Sequence, residues 1–69
     1  MFSHLVTTEI DEQHKTVQYK IEFKHDKRII KTVYINGNDS DWSKNLMSEI
    51  NKFYRDDAPE FEKKPNPRN

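Results

Sequence analysis

The sequence has no cysteine and only one glycine in 69 residues. Without cysteine it can form neither a disulfide staple nor a thiolate metal site. A single glycine rules out the phosphate-cradling loops that need several in series. No apolar run approaches the roughly 20 residues of a membrane-spanning helix. Met1 to Ile10 also lacks the basic start and apolar stretch of a secretion signal, so the expected location is cytoplasmic, with no membrane association. Large apolar residues are scarce: Leu, Ile, Val and Phe together number 15, and hydrophobic residues make up 32% against 35% charged. With a mean hydropathy of -1.16, the chain lies near the composition at which sequences remain unfolded. It also lacks an excess of either charge, with 12 basic and 12 acidic side chains.

Two features favour folding: zero net charge removes self-repulsion, and the apolar residues are periodic. A chain this short buries only about 60% of its unfolded surface, so a monomer has little spare stability. With staples and metals excluded, oligomerisation is the remaining way to enlarge the core, and a homodimer is expected.

The clearest element runs from Thr16 to Lys24. Val17, Tyr19, Ile21 and Phe23 alternate with Gln18, Lys20, Glu22 and Lys24, the period of a half-buried strand. His25-Asp26-Lys27 forms a short polar break before Arg28 to Asn36, a second β-prone run that reads as its hairpin partner. A three-residue loop would pair Phe23 with Ile29, Tyr19 with Val33 and Val17 with Ile35, and this register gathers the most aliphatic residues. A two-residue loop would instead set Phe23 opposite Ile30 and Tyr19 opposite Tyr34. In the preferred register Ile30 and Tyr34 are left on the far face, more apolar surface than one small domain can cover. Ser3 to Ile10 reads as an earlier antiparallel strand.

Asn36-Gly37-Asn38-Asp39 breaks the sheet, with the glycine suited to a left-handed or tight turn. Asp39 or Ser40 can cap the helix that follows. Trp42, Leu46, Met47, Ile50, Phe53 and Tyr54 recur at helical spacing, with Ser43, Lys44, Ser48, Glu49, Asn51, Lys52 and Arg55 opposite them. Asp56-Asp57 and Pro59 are expected to end this helix. The predicted fold is therefore α+β, in β-β-β-α order. A three-stranded antiparallel sheet is packed by one amphipathic helix over residues 40–56, within a single domain of residues 1–57. Residues 58–69 are expected to form a disordered tail containing lysine and proline.

The polar residues offer little chemistry. His4, His14 and His25 are 10 and 11 residues apart and match no ligand spacing. Asn36 to Asp41 lacks the glycine position and bidentate glutamate of a calcium loop. No nucleophile motif is present, and Asp11/Glu12 and Asp56/Asp57 flank structural elements as solvated pairs. No catalytic residue, cofactor or metal is expected, and the chain is not expected to be an enzyme.

Charge is nevertheless segregated. Residues 1–14 hold Glu9, Asp11 and Glu12 and no Lys or Arg, whereas 15–31 hold Lys15, Lys20, Lys24, Lys27, Arg28 and Lys31 against Glu22 and Asp26. Lys20, Lys24, Lys27, Arg28 and Lys31 are candidate phosphate contacts, with Tyr19, Phe23 or Tyr34 available for base stacking. The order of three strands and a helix resembles the small arm-type DNA-binding domains of some phage and transposon integrases, whose sheet enters the major groove. The likeness is one of element order, and no functional residue is carried over from it.

The first expectation is a non-catalytic interaction module that regulates or inhibits a larger, unidentified protein. Its candidate interface is Ile30, Tyr34, Trp42, Met47 and Tyr54, residue types that favour association surfaces. The alternative is nucleic-acid binding through the basic hairpin 15–31.

Overall fold

The computed structural model describes residues 1–63. Three antiparallel strands, β1 (Phe2–Asp11), β2 (Thr16–His25) and β3 (Arg28–Asn36), form a sheet in the order β1-β2-β3. A C-terminal helical rod follows: α1 (Trp42–Lys52), a π-helical turn (Phe53–Asp57) and α2 (Ala58–Lys63). This is the α+β architecture expected from the sequence. Of the expected tail, residues 58–63 are helical instead, with Ala58 part of the core, and residues 64–69 lie outside the described residues.

β2 is the central strand, and its alternation sets the two faces. Ile21 and Phe23 are fully buried on the inner face, beneath the helix. Gln18, Lys20, Glu22 and Lys24 project to the outer face, because successive side chains of a strand point to opposite sides. The core comprises Ile21, Phe23, Ile35, Ile50, Phe53 and Ala58, with Phe2, Tyr19, Ile30, Val33, Trp42 and Leu46 packed around it. Aromatic rings supply much of the volume the scarce aliphatics cannot. Phe23 stacks on Phe53 with centroids 4.0 Å apart, and Tyr19 stacks on Trp42 at 4.4 Å.

The β2–β3 hairpin has the two-residue loop of the alternative reading and not the preferred three-residue one, and beyond its first pairs the register follows neither. The loop is the two-residue Asp26-Lys27 turn, with φ of 51° and 73°, between paired His25 and Arg28. Two positive φ values are what a hairpin's right-handed twist requires. A bulge opposite Phe23/Lys24 then shifts the register, giving Phe23 opposite Lys31, Ile21 opposite Val33 and Tyr19 opposite Ile35. Ile30 is the extra residue of the bulge. The expected Val33 and Ile35 still face the core. Ile29 and Ile30 exchange places: Ile30 packs against the core, and Ile29 is 50% exposed.

Gly37 serves a different purpose from the one its turn context suggests. No glycine adopts a positive φ. Its hydrogen in place of a side chain permits close approach instead, since a Cβ there would lie 2.7 Å from Val17 Cγ1, 2.8 Å from the Tyr19 ring and 2.9 Å from the Val17 carbonyl oxygen. In that position the Gly37 N–H donates to Val17 O at 2.7 Å. The next residue continues the pairing through its side chain, Asn38 Oδ1 accepting from Val17 N–H at 2.7 Å.

Both ends of the helix depart from expectation. At the start, Asp39 Oδ1 accepts from the N–H of Asp41 at 3.0 Å in a local turn, and the cap position itself, Asp41, makes no side-chain cap bond. At the far end, Asp56-Asp57 and Pro59 do not stop the rod. The N–H of Ala58 bonds to Phe53 O, five residues back, forming the wider π turn. Proline in a regular helix clashes with the carbonyl four residues earlier and leaves it without a donor. Widening the turn just before Pro59 relieves that conflict, and the helix continues to Lys63. Ala58 is thereby buried, and Phe61 reaches Phe2 with ring centroids 5.9 Å apart.

Gly37→Ala is predicted to destabilise the fold by about 1–3 kcal/mol, because two of the three contacts belong to packed side chains and one to backbone. The check is the denaturant midpoint, which should fall without loss of a cooperative transition.

Candidate functional site

The helix does not cover the sheet evenly. Lys31 on β3 pairs with Asp57 at 2.6 Å, fastening the helical rod to that side. On the β1 side, Tyr54 Oη lies 2.8 Å from His4 Nδ1 and its ring meets that of His4 at 5.5 Å. Beyond this contact the inner side chains of β1 are open, with Val6 37% and Ile10 65% exposed. Tyr54, 37% exposed, borders the same open strip from the helix, and Met47 is exposed elsewhere on α1.

No described element covers the outer face of the sheet. The strand register aligns Leu5 with Glu22 and Thr32, Thr7 with Lys20 and Tyr34, and Ser3 with Lys24 and Ile29. Lys20 and Glu22 lie 3.7 Å apart and hold each other along β2. Leu5, Ile29 and Tyr34 stand out of this polar ladder, half-exposed. Of the chain's aromatic residues, Tyr34 alone makes no ring contact among the described residues. Phe2, Tyr19, Phe23, Trp42, Phe53, Tyr54 and Phe61 all belong to the web beneath the helix.

The five candidate interface residues therefore do not form one patch. Tyr34 stands on the outer face, and Met47 and Tyr54 on the helix side. Ile30 and Trp42 are packed against the core, Trp42 through its stack on Tyr19. Leu5 and Ile29, which belong with Tyr34, were not singled out by sequence reasoning. The signal for Ile29 was the two-residue turn, which sets it opposite Lys24 on the outer face. For Leu5 it was the parity of β1, whose odd positions share the outer face with Tyr34.

The basic candidates are dispersed as well. Lys20 and Lys24 point outward from β2, Lys27 occupies the turn, and Arg28 lies beside His25, Ile30 and Phe61. Lys31 is turned to the helix side and neutralised by Asp57. Tyr19 and Phe23, considered as stacking platforms, are used inside the fold. No group of three or more histidine, aspartate or glutamate side chains is placed to hold a metal among the described residues. His14 instead closes the β1–β2 loop, with Nδ1 2.7 Å from Asp11 Oδ2.

Three exposed carboxylates are held below their ordinary range by hydrogen-bonding partners. The His14 side chain lowers Asp11, the α-ammonium of Met1 lowers Asp26, and the Arg55 guanidinium lowers Asp56. A carboxyl with a depressed folded pKa stabilises the fold above its unfolded value, and this contribution is lost as pH falls through the folded one. The melting temperature is accordingly predicted to decline below about pH 4. Asp11→Asn should flatten that acid branch without abolishing it, as followed by circular dichroism. The chain matches no protein family, no curated protein and no solved structure.

Proposed function

We propose that the protein is a homodimeric, non-catalytic interaction module that regulates or inhibits a larger protein through the outer face of its sheet. The observation that carries this reading is Tyr34, 55% exposed and the one aromatic residue spent outside the core web of a chain short of apolar residues. Tyrosine offers a large contact area and a hydroxyl at low entropic cost, which suits an anchor at an interface. Leu5 and Ile29 extend the apolar contact on the same face, and Lys20, Glu22 and Lys24 supply polar contacts between them. Exposure of these groups costs the monomer burial that it could use.

The double variant Tyr34→Ala/Ile29→Ser is predicted to keep its melting temperature and lose the protein partner that the wild type retains in an affinity pull-down. Retention of that partner by the variant would contradict the proposal. So would salt-sensitive binding of the wild type to DNA or RNA that Lys24→Glu/Arg28→Glu abolishes, since that result assigns the work to the basic hairpin.

A further inference from the structure

β1 is an unprotected edge strand. It pairs with β2 without interruption from Phe2–His25 to Asp11–Thr16, and nothing described lies against its other edge. Natural edge strands are blunted by lysine, proline, bulges or shortness. Phe2–Asp11 has ten residues, no lysine, arginine or proline, and no bulge. The opposite edge, β3, carries a bulge, Arg28 and Lys31.

The direction of the free backbone groups follows from β2. Val17 uses both its carbonyl and its N–H towards Gly37 and Asn38, on the β3 side. Alternation then turns Gln18, Lys20, Glu22 and Lys24 towards β1, and makes Glu9, Thr7, Leu5 and Ser3 their hydrogen-bonded partners. The N–H and C=O groups of Phe2, His4, Val6, Thr8 and Ile10 consequently point outward along the free edge. Their side chains lie on the inner face, where Val6 and Ile10 are open.

We infer that β1 pairs antiparallel with β1 of a second copy, with Val6 on the twofold axis. This register places Phe2 opposite Ile10 of the second copy and His4 opposite its Thr8. Every outward amide and carbonyl from Phe2 to Ile10 then finds a partner, about ten hydrogen bonds in all. Shifting the axis to Leu5 or Thr7 forfeits about two of them. The face is preserved, so the two sheets join into one with both helices on the same side. Ile10 of each copy comes beside Phe2 of the other, whose neighbour Phe61 is 42% exposed. Val6 meets its own equivalent at the axis.

Charge supports a second copy as the occupant. The acidic end of β1, with Glu9, Asp11 and Glu12, is carried antiparallel to the end where the partner has Lys24, Lys27 and Arg28. Segregated charges that cancel within the chain are thus complementary between copies. The paired sheet would present both outer faces, with their Tyr34, Leu5 and Ile29, on one continuous surface.

The inference rests on the homodimer proposed above, and sedimentation separates the two. The wild type is expected at twice 8.4 kDa. Thr8→Pro removes an outward N–H and leaves the β2 ladder intact, so it should raise the dissociation constant about 30-fold or more while preserving the far-ultraviolet spectrum. Thr32→Pro makes the equivalent change on the β3 edge and should remain dimeric. If Thr8→Pro does not fold, Val6→Lys, which sets two ammonium groups against each other at the axis, gives the same readout. A monomeric wild type overturns both the homodimer and the edge pairing. A dimer that persists in Thr8→Pro and Val6→Lys overturns the edge pairing and leaves the homodimer standing.

Discussion

The structure depends on the stacking of Phe53 over Phe23. With few aliphatic residues available, the inner face of β2 has to be covered by rings, and this contact fixes where the helix lies. Stacked aromatic pairs contribute about 0.5–1.5 kcal/mol beyond their burial, a meaningful share in a domain of this size. Phe2, Tyr54 and Phe61 gather around the same pair, and the Tyr19–Trp42 stack aligns the start of the helix. The π turn belongs to this arrangement, because it carries the rod past Pro59 and brings Ala58 and Phe61 onto the sheet.

One helix over three strands leaves surface uncovered, and where it does so gives the two open regions different characters. The outer face is a polar ladder with Leu5, Ile29 and Tyr34 rising from it, suited to a partner whose surface is mixed. The β1 side combines free backbone groups with an apolar strip on the same residues, suited to another strand. Because the two regions lie on a face and at an edge, the proposed self-association and partner binding would not compete for the same side chains.

Much of the fold was legible in the residues. The alternation from Thr16 to Lys24 defined a strand and its two faces, though not its central place in the sheet, and the spacing from Trp42 to Tyr54 defined the helix. The hairpin register was not legible, because Asp-Lys is an unusual pair for a turn that needs two positive φ values and because a bulge leaves no mark in composition. The two-residue turn exchanged Ile29 with Ile30 and so changed which isoleucine belongs with Tyr34. The helix end was misjudged for a related reason: Pro59 stops a regular helix, but a π turn placed before it removes the clash. Gly37 was recognised as special, although the close approach of Val17 and Tyr19 explains it and a left-handed backbone does not. The open edge of β1 could have been suspected from its lack of lysine and proline, but the direction of its free amides required the register.

The central claim is that the uncovered side of β1 is completed by a second copy. Residue-resolved amide exchange tests it most directly, because alternate residues of one strand have different partners. Leu5, Thr7 and Glu9, bonded within the sheet, should be protected at every protein concentration. Val6 and Thr8 should be protected when the protein is concentrated and lose that protection on dilution. Free exchange of Val6 and Thr8 at every concentration, with Leu5 and Thr7 still protected, would contradict the account.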